Sequence, residues 1–349
     1  MRVAVVGATG AVGRTIVRLL EERRFPLDEV VLFASPRSEG KRLSFRGEEV
    51  TVRGVPDRWF DGVDLALTSA GSGVARRFVP PAAAAGTVCV DNSSAFRMDP
   101  DVPLVVPEIN PEALANHRGI IANGNCTAIA ALMPLGPLHK RFGLRFLVTS
   151  SYQSVSGSGM KGVRELAEQV EKLHEEVEAL TSPEREALPV GEVFGRTIAF
   201  NVVPHVEQFD PEGSGFTTEE IKMGNEFRKV LGIPDLVCAS TAVRVPVVTG
   251  HGVSIYARFD RPVTPEEARA VLAEAPGLRL MDDPARNLYP TPLDSAGIDD
   301  VLVGRIRQPA GDDRALMLFA VGDNLLKGAA LNAVQIAELL VARDLVGNR

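Results

Sequence analysis

The chain has 349 residues, 45% of them hydrophobic and 24% charged, which is enough for two globular domains with sizeable cores. A formal net charge of -7 argues against nucleic-acid and anionic-membrane partners, since both call for a basic face. No apolar run approaches the roughly 20 residues of a membrane span, and MRVAVVGATG enters a strand directly, without a leader pattern. A cytoplasmic protein is therefore expected. Cys89, Cys126 and Cys238 lack the paired spacing of a zinc site, so neither a metal nor a disulfide framework is expected.

In chain order, Arg2–Val6 reads as a strand ending on glycine, and Val12, Ile16, Leu19 and Leu20 mark one face of a helix. Val30–Ala34 and Val63–Leu67 read as further strands, Pro81–Ala85 as helix and Thr87–Val90 as strand. This alternation predicts a parallel α/β sheet of Rossmann type over residues 1–125. Past Cys126, a helix over Thr127–Leu138 leads into a strand at Phe146–Gln153. Runs at 198–203, 241–248 and 252–259 look like strands without alternating helices, which predicts a second α+β domain with a mixed sheet over 126–323. The segment 324–346 reads as a helix that rejoins the first domain. Val163, Leu166, Val170, Leu173, Val177 and Leu180 recur at spacings of three and four, either as a seam between subunits or as an amphipathic helix on its own domain.

The loop Gly7-Ala-Thr-Gly-Ala-Val-Gly13 lies between the first strand and the first helix, a variant of the dinucleotide fingerprint. Its glycines let the backbone approach a pyrophosphate that faces the helix N-terminus. Where NAD-binding sheets carry an acidic residue, the second strand here ends in Ser35-Pro-Arg-Ser38. Arg37 is either a partner for a 2′-phosphate, with Ser35 and Ser38 as hydrogen-bonding neighbours, or an exposed loop arginine; the first reading selects NADP. Cys126 opens a helix, a place that lowers a thiol pKa and suits a nucleophile. Cys89 and Cys238 sit in apolar runs and read as inert. His251, between two glycines at a strand end, is the candidate acid/base. His117, His139 and His174 read as surface residues, and His205 as a core histidine.

Together GATGAVG, SPRS, SAG, DNSSAFRM, NCT, SSYQSVSGSG, EEIKM, VRVPVVTGHG and DNLLKGAALNAVQIAE resemble the aspartate-semialdehyde dehydrogenase family, in order and over nearly the whole chain. The resemblance implies interconversion of aspartate semialdehyde and β-aspartyl phosphate with NADP and phosphate, feeding lysine, threonine and methionine synthesis. It also implies a homodimer or a dimer of dimers. By matched position it implies that Cys126 is the nucleophile, His251 the acid/base and Gln153 the residue that orients the substrate. Arg244 would grip the α-carboxylate, Glu219 the α-amino group, and Arg97 with Lys222 the phosphate. The cofactor would lie along Gly7, Thr9, Gly10, Ala11, Val12 and Gly13, with Ser35, Arg37, Ser38, Ser69, Ala70, Gly71, Ser156, Gly157 and Asn324 around it.

On residue type alone, Glu219 and Lys222 are three apart and share a helix face, which fits an ordinary surface ion pair as well as a site. Arg244, within an apolar strand, needs a partner or a ligand. The chain departs from the family pattern at Gly124, where proline is common, at Thr127-Ala128 after the cysteine, and at Gly252, where serine is common. N-acetyl-γ-glutamyl-phosphate reductase is the nearest enzymatic alternative, and a non-catalytic NADP-binding sensor is the alternative from another class.

Overall fold

A computed structural model describes residues 1–182 and 188–347. β1 (Arg2–Val6), β2 (Glu29–Ala34), the hairpin β3 (Arg42–Phe45) and β4 (Glu48–Thr51), and β5 (Arg53–Gly54) come first. β6 (Leu65–Thr68), β7 (Val88–Asp91), β8 (Leu104–Val105) and β9 (Ile120–Asn123) follow. Seven of these strands form a parallel sheet in the order β5-β2-β1-β6-β7-β9-β8. Strand order reverses between β1 and β6, and the crevice at such a switch point is where open α/β sheets hold ligands. The expected Rossmann-like domain is present, with α1 (Ala11–Glu22) and α2 (Ser72–Ala84) each rising from that edge.

α3 (Cys126–Phe142) leads into the second sheet. Its strands are β10 (Leu144–Gln153), β11 (Val237–Arg244), β12 (His251–Phe259), β13 (Leu278–Leu280), β14 (Val301–Arg307) and β15 (Ala315–Gly322). They run in the order β11-β10-β12-β15-β14-β13, with β10–β11 and β13–β14 parallel and the other pairs antiparallel, so the expected mixed sheet is observed. The outer helices are α4 (Met160–Leu173), α5 (Thr218–Leu231), α6 (Pro265–Ala273) and α7 (Pro292–Ser295). One sheet face packs Leu147, Val253, Ile255, Leu316 and Leu318 against α3 and its neighbours. The opposite face shows Val148 and Tyr152, both more than a third exposed, with Tyr152 against Phe319 and Phe146 against Tyr256. Gly252 lies on this open face, where a Cβ would come within 2.7 Å of the Phe319 ring; the aromatic ring takes the space a serine would need.

One sequence expectation is corrected here. The run 198–203 is not a strand; it makes one bridge, Val203 to Arg244. The carbonyl oxygen of the Gln169 side chain accepts the N–H groups of Ile198 and Ala199, and Glu165 accepts those of Val193 and Phe194. Their backbone is thus satisfied by α4 side chains instead of a ladder, and Pro204 then removes a donor. Of the two readings of the spaced apolar stripe, the structure supports the amphipathic helix on its own domain, since Leu166 and Leu173 pack into a core of the same chain with Val163 and Leu180 against it. The buried face of α4 runs through Gly162, Glu165, Leu166, Gln169 and Leu173, while Val170 is exposed; Val177 is exposed as well, in a 3-10 stretch beyond the helix end.

The expected C-terminal helix is shorter than 324–346. A π-helical turn (Leu326–Ala330) precedes α8 (Leu331–Ala342), and Asn324 lies outside both. Leu331, Val334, Ile336, Ala337 and Leu340 pack with Val3, Val5 and Ile16 in the first domain's core. Within the turn, Lys327 is buried and donates to Glu108 at 2.6 Å, Asn332 at 2.9 Å and the Gln335 side chain at 2.7 Å. A buried ammonium with all three protons used is the arrangement that burial demands.

Candidate active site

The glycine loop meets the conditions for a dinucleotide. Gly7 has φ +88, and a Cβ there would lie 2.3 Å from the Ser69 carbonyl oxygen, so only glycine lets the loops after β1 and β6 approach this closely. A Cβ on Gly13 would meet the Gly7 carbonyl oxygen at 2.1 Å, which seats α1 on the loop. No side chain caps the N-terminus of α1, so the amides around Ala11 and Val12 open it to an anion. At the end of β2, Ser35 and Arg37 are exposed, and the Thr9 hydroxyl donates to Ser38 at 3.2 Å. Ala70 and Gly71 complete the edge ahead of α2.

A cavity of about 500 Å³ is lined by Asn125, Cys126, Gln153, Gly157, Glu207, Glu219, Arg244 and His251, with Phe194 and His205 at its side. Cys126 is the first residue of α3. Asn125 caps that helix, its Oδ1 accepting from Thr127 at 2.9 Å and Ala128 at 3.0 Å, so Thr127-Ala128 serves the cap through its backbone. The Asn125 Nδ2 donates to both carboxylate oxygens of Glu219 at 3.0 Å, and Gln153 Nε2 donates to Glu219 Oε1 at 3.0 Å. Glu219 stands in the first turn of α5, whose Thr217–Glu220 capping box fixes it.

Glu219 is 3% exposed and, among the described residues, meets amides but no cation within ion-pair distance. Burial and the nearby Glu207 push its carboxyl up. Arg244, 7% exposed, donates to the Ser154 carbonyl at 2.8 Å and stacks over Phe194, again with no carboxylate partner among the described residues. Burial pulls its pKa down. A Cβ on Gly157 would meet Arg244 Nη1 at 2.9 Å and the His251 ring at 3.2 Å, so this glycine makes room for both.

His251 is fully buried at the start of β12. Its Nδ1 accepts the Ser154 backbone N–H at 3.1 Å, which places the proton of the neutral ring on Nε2, and Nε2 has no protein partner among the described residues. Burial and Arg244 depress its pKa to about 3, so the ring is neutral at any working pH. Behind it, Ser154 and Ser156 donate to Asn324 Oδ1 at 3.1 and 3.3 Å.

The expectation of a lowered Cys126 pKa is corrected. Burial and Glu219 push the thiol up to about 11, against the downward pull of Arg97, Thr127 and Arg244. Glu219 and Lys222 do not form the surface ion pair that was the alternative to their site roles. Lys222 instead donates to Glu207 at 2.5 Å, and Arg97 pairs with the buried Glu226 at 2.9 Å. Arg97 further donates to the carbonyls of Asn123 at 2.8 Å and Asn92 at 3.0 Å. Glu226 accepts the Asn125 backbone N–H at 2.6 Å as well. Asn125, Glu207 and Glu226 carried no signal as site residues in the sequence beyond their motif neighbours. Cys89 is buried as expected, whereas Cys238 is half-buried. Neither His139 nor His117 is a free surface residue; their Nδ1 atoms accept the N–H groups of Leu144 and Gly119. His205, expected in the core, is half-buried against Phe209 at the cavity edge. No group of three or more His, Cys, Asp and Glu able to hold a metal occurs among the described residues.

This fold and site define a two-domain oxidoreductase of the semialdehyde dehydrogenase class: the NAD binding domain model of that class matches residues 2–117 and its dimerisation domain model residues 135–327. Aspartate-semialdehyde dehydrogenase from Mycolicibacterium smegmatis is 51% identical over 98% of this chain and 99% of its own length. The Vibrio cholerae aspartate semialdehyde dehydrogenase II, solved in complex with ASA, superposes with a TM-score of 0.88 at 42% identity, covering 98% of both chains. The Candida albicans aspartate semialdehyde dehydrogenase, solved with NADP, superposes at 0.74 with 25% identity and 99% coverage of both. The chain belongs to the aspartate-semialdehyde dehydrogenase family. No helix among the described residues is long and apolar enough to cross a membrane.

Because burial and Glu219 push the Cys126 thiol up to about 11, its alkylation by iodoacetamide should accelerate about tenfold per pH unit between roughly pH 7 and 10. A rate already at its plateau at pH 7 would contradict this.

Proposed function

We propose that the chain catalyses the reversible, NADP-dependent conversion of L-aspartate 4-semialdehyde and phosphate to 4-aspartyl phosphate through a thioester on Cys126, serving lysine, threonine and methionine biosynthesis. One observation carries the substrate assignment. Glu219 and Arg244 are opposite charges, both buried, both without an ionic partner among the described residues, in the cavity that holds Cys126. Two such groups are costly to bury apart, and a zwitterionic amino acid satisfies both at once. The N-acetyl-γ-glutamyl alternative has no free ammonium for Glu219. A sensor needs neither charge.

In the oxidative direction the substrate ammonium sits on Glu219 and its carboxylate on Arg244 as a bidentate pair. The ammonium offsets the Glu219 contribution to the raised thiol pKa, and Cys126 gives its proton to solvent before the sulfur attacks. The sulfur then bonds to the aldehyde carbon, the carbonyl electron pair moves to oxygen, and the His251 Nε2–H donates to that oxygen. His251 thus acts in its resting tautomer as a donor; the Ser154 N–H withholds Nδ1 from base work. NADP would be held by the glycine loop, with Arg37, Ser35 and Ser38 for its 2′-phosphate, and would supply the hydride acceptor. With hydride lost from the carbon, a thioester remains on Cys126. A phosphate oxygen held by Arg97 and Lys222 attacks it, and the C–S bond breaks to release acyl phosphate and thiolate.

The assembly proposed is a homodimer or a dimer of dimers, with a second copy over the open face of the mixed sheet, where Val148, Tyr152 and Phe319 form an aromatic and aliphatic patch. Val148→Asp should shift the protein to monomer in sedimentation; an unchanged mass would contradict this interface.

The catalytic proposal is checked by NADPH absorbance with aspartate semialdehyde, NADP and phosphate. NADPH should form only with phosphate present, Cys126→Ala should abolish it while NADP still binds, and Arg37→Ala should cut the preference for NADP over NAD about ten- to a hundredfold. Appreciable turnover by the alanine variant, or NADPH formation indifferent to phosphate, would overturn the thioester route.

A further inference from the structure

The two cations proposed for phosphate are not free in this structure, and they are occupied in different ways. Arg97 is paired with Glu226, a buried residue of α5 that also accepts the Asn125 N–H, so this contact is built into the frame of the nucleophile. Lys222 is paired with Glu207, which lies on no helix or strand and is 40% exposed in its side chain. One oxygen of Glu207 takes both the Lys222 ammonium at 2.5 Å and the Thr218 hydroxyl at 2.6 Å. Glu207 lines the same cavity as Cys126, Glu219 and Arg244.

Its backbone stands at φ +65, in the left-handed region that non-glycine side chains rarely adopt. Conformations of this kind persist where the surroundings over-determine them, and they cluster at ligand clamps. Here the holding contacts are Lys222 and Thr218 themselves. Partial burial pushes the Glu207 carboxyl up, but its hydrogen bonds to Lys222 and Thr218, with Arg97 nearby, outweigh burial and keep it below the usual carboxylate range. The group is therefore an anion throughout the working pH range. It sits in a half-exposed ion pair, worth little on its own, on one of the two cations proposed for phosphate.

We propose that Glu207 is a resident counter-anion of the phosphate site, which inorganic phosphate, or the phosphoryl group of the acyl phosphate, displaces from Lys222 on binding. This rests on the reading of Lys222 as a phosphate ligand. In the empty enzyme the Glu207 carboxylate neutralises Lys222 and keeps other small anions from the thioester. When phosphate enters, its oxygens replace the carboxylate on the ammonium, and Glu207, on a loop outside the sheet, retreats from it. The cost of that exchange sets the phosphate KM.

The test is phosphate kinetics on the full enzyme, with sulfate as a dead-end anion. In Glu207→Gln the phosphate KM and the sulfate inhibition constant should both fall roughly two- to fivefold, and Thr218→Val, which frees the carboxylate without removing it, should move both in the same direction by less. A merely structural or Lys222-orienting role predicts the reverse, a raised phosphate KM in Glu207→Gln, and that result, or unchanged constants in both variants, would overturn the proposal. Lys222→Ala separates the underlying reading: a wild-type phosphate KM in that variant means Lys222 is not a phosphate ligand, whatever Glu207 does.

Discussion

Asn125 joins three things that the site needs held together. Its side-chain oxygen caps α3 and so fixes the residue that follows, Cys126. Its side-chain amide donates to both oxygens of Glu219. Its backbone N–H donates to Glu226, which in turn holds Arg97. Helix capping, normally worth about 1 kcal/mol, thereby also sets the distance between Cys126 and the charges around it. A change at this position would loosen Cys126, Glu219 and Arg97 together, since buried networks of this kind lose more than the sum of their parts.

Around that hub the electrostatics are arranged by contrast. Arg97 and Lys222 have carboxylate partners, and Glu219 and Arg244 have none among the described residues. Neutral hydrogen bonds hold the unpaired two: amides on the carboxylate, a backbone carbonyl on the guanidinium. Such contacts fix orientation without cancelling charge, so the attraction for a ligand of opposite sign is kept in a setting where it is strong. His251 follows the same logic in the neutral state. A backbone N–H occupies one ring nitrogen and leaves the other as a donor without a protein partner among the described residues.

Much of this was legible in the sequence, and the parts that were not have a common cause. The glycine loop, the parallel first domain and the mixed second sheet follow from local period and turn chemistry. Cys126, His251, Gln153, Glu219 and Arg244 fall into one cavity as the motif resemblance implied. The Cys126 pKa went the other way because burial and Glu219 outweigh the pull of Arg97, Thr127 and Arg244, and Glu219 lies 93 positions away in sequence. Glu207 and Glu226 are ordinary acidic residues until one knows which cation each meets. The run 198–203 has strand composition, yet its amides are taken by Gln169, a side chain on a helix whose apolar spacing suggested a different buried face. Long-range partners of backbone amides leave no mark on local pattern.

The central claim is that Glu219 and Arg244 build a pocket for an amino-acid aldehyde, and the most direct measurement is turnover of analogues that lack one charge each. Succinate semialdehyde has the carboxylate without the ammonium, and 3-aminopropanal the ammonium without the carboxylate. Leaving a buried charge unpaired costs roughly 2–5 kcal/mol, so each analogue should lose about 30-fold to several thousandfold in kcat/KM relative to aspartate semialdehyde. Turnover of either analogue within a few-fold of aspartate semialdehyde would show that the corresponding buried charge does not bind substrate, and the assignment of this pocket would fail.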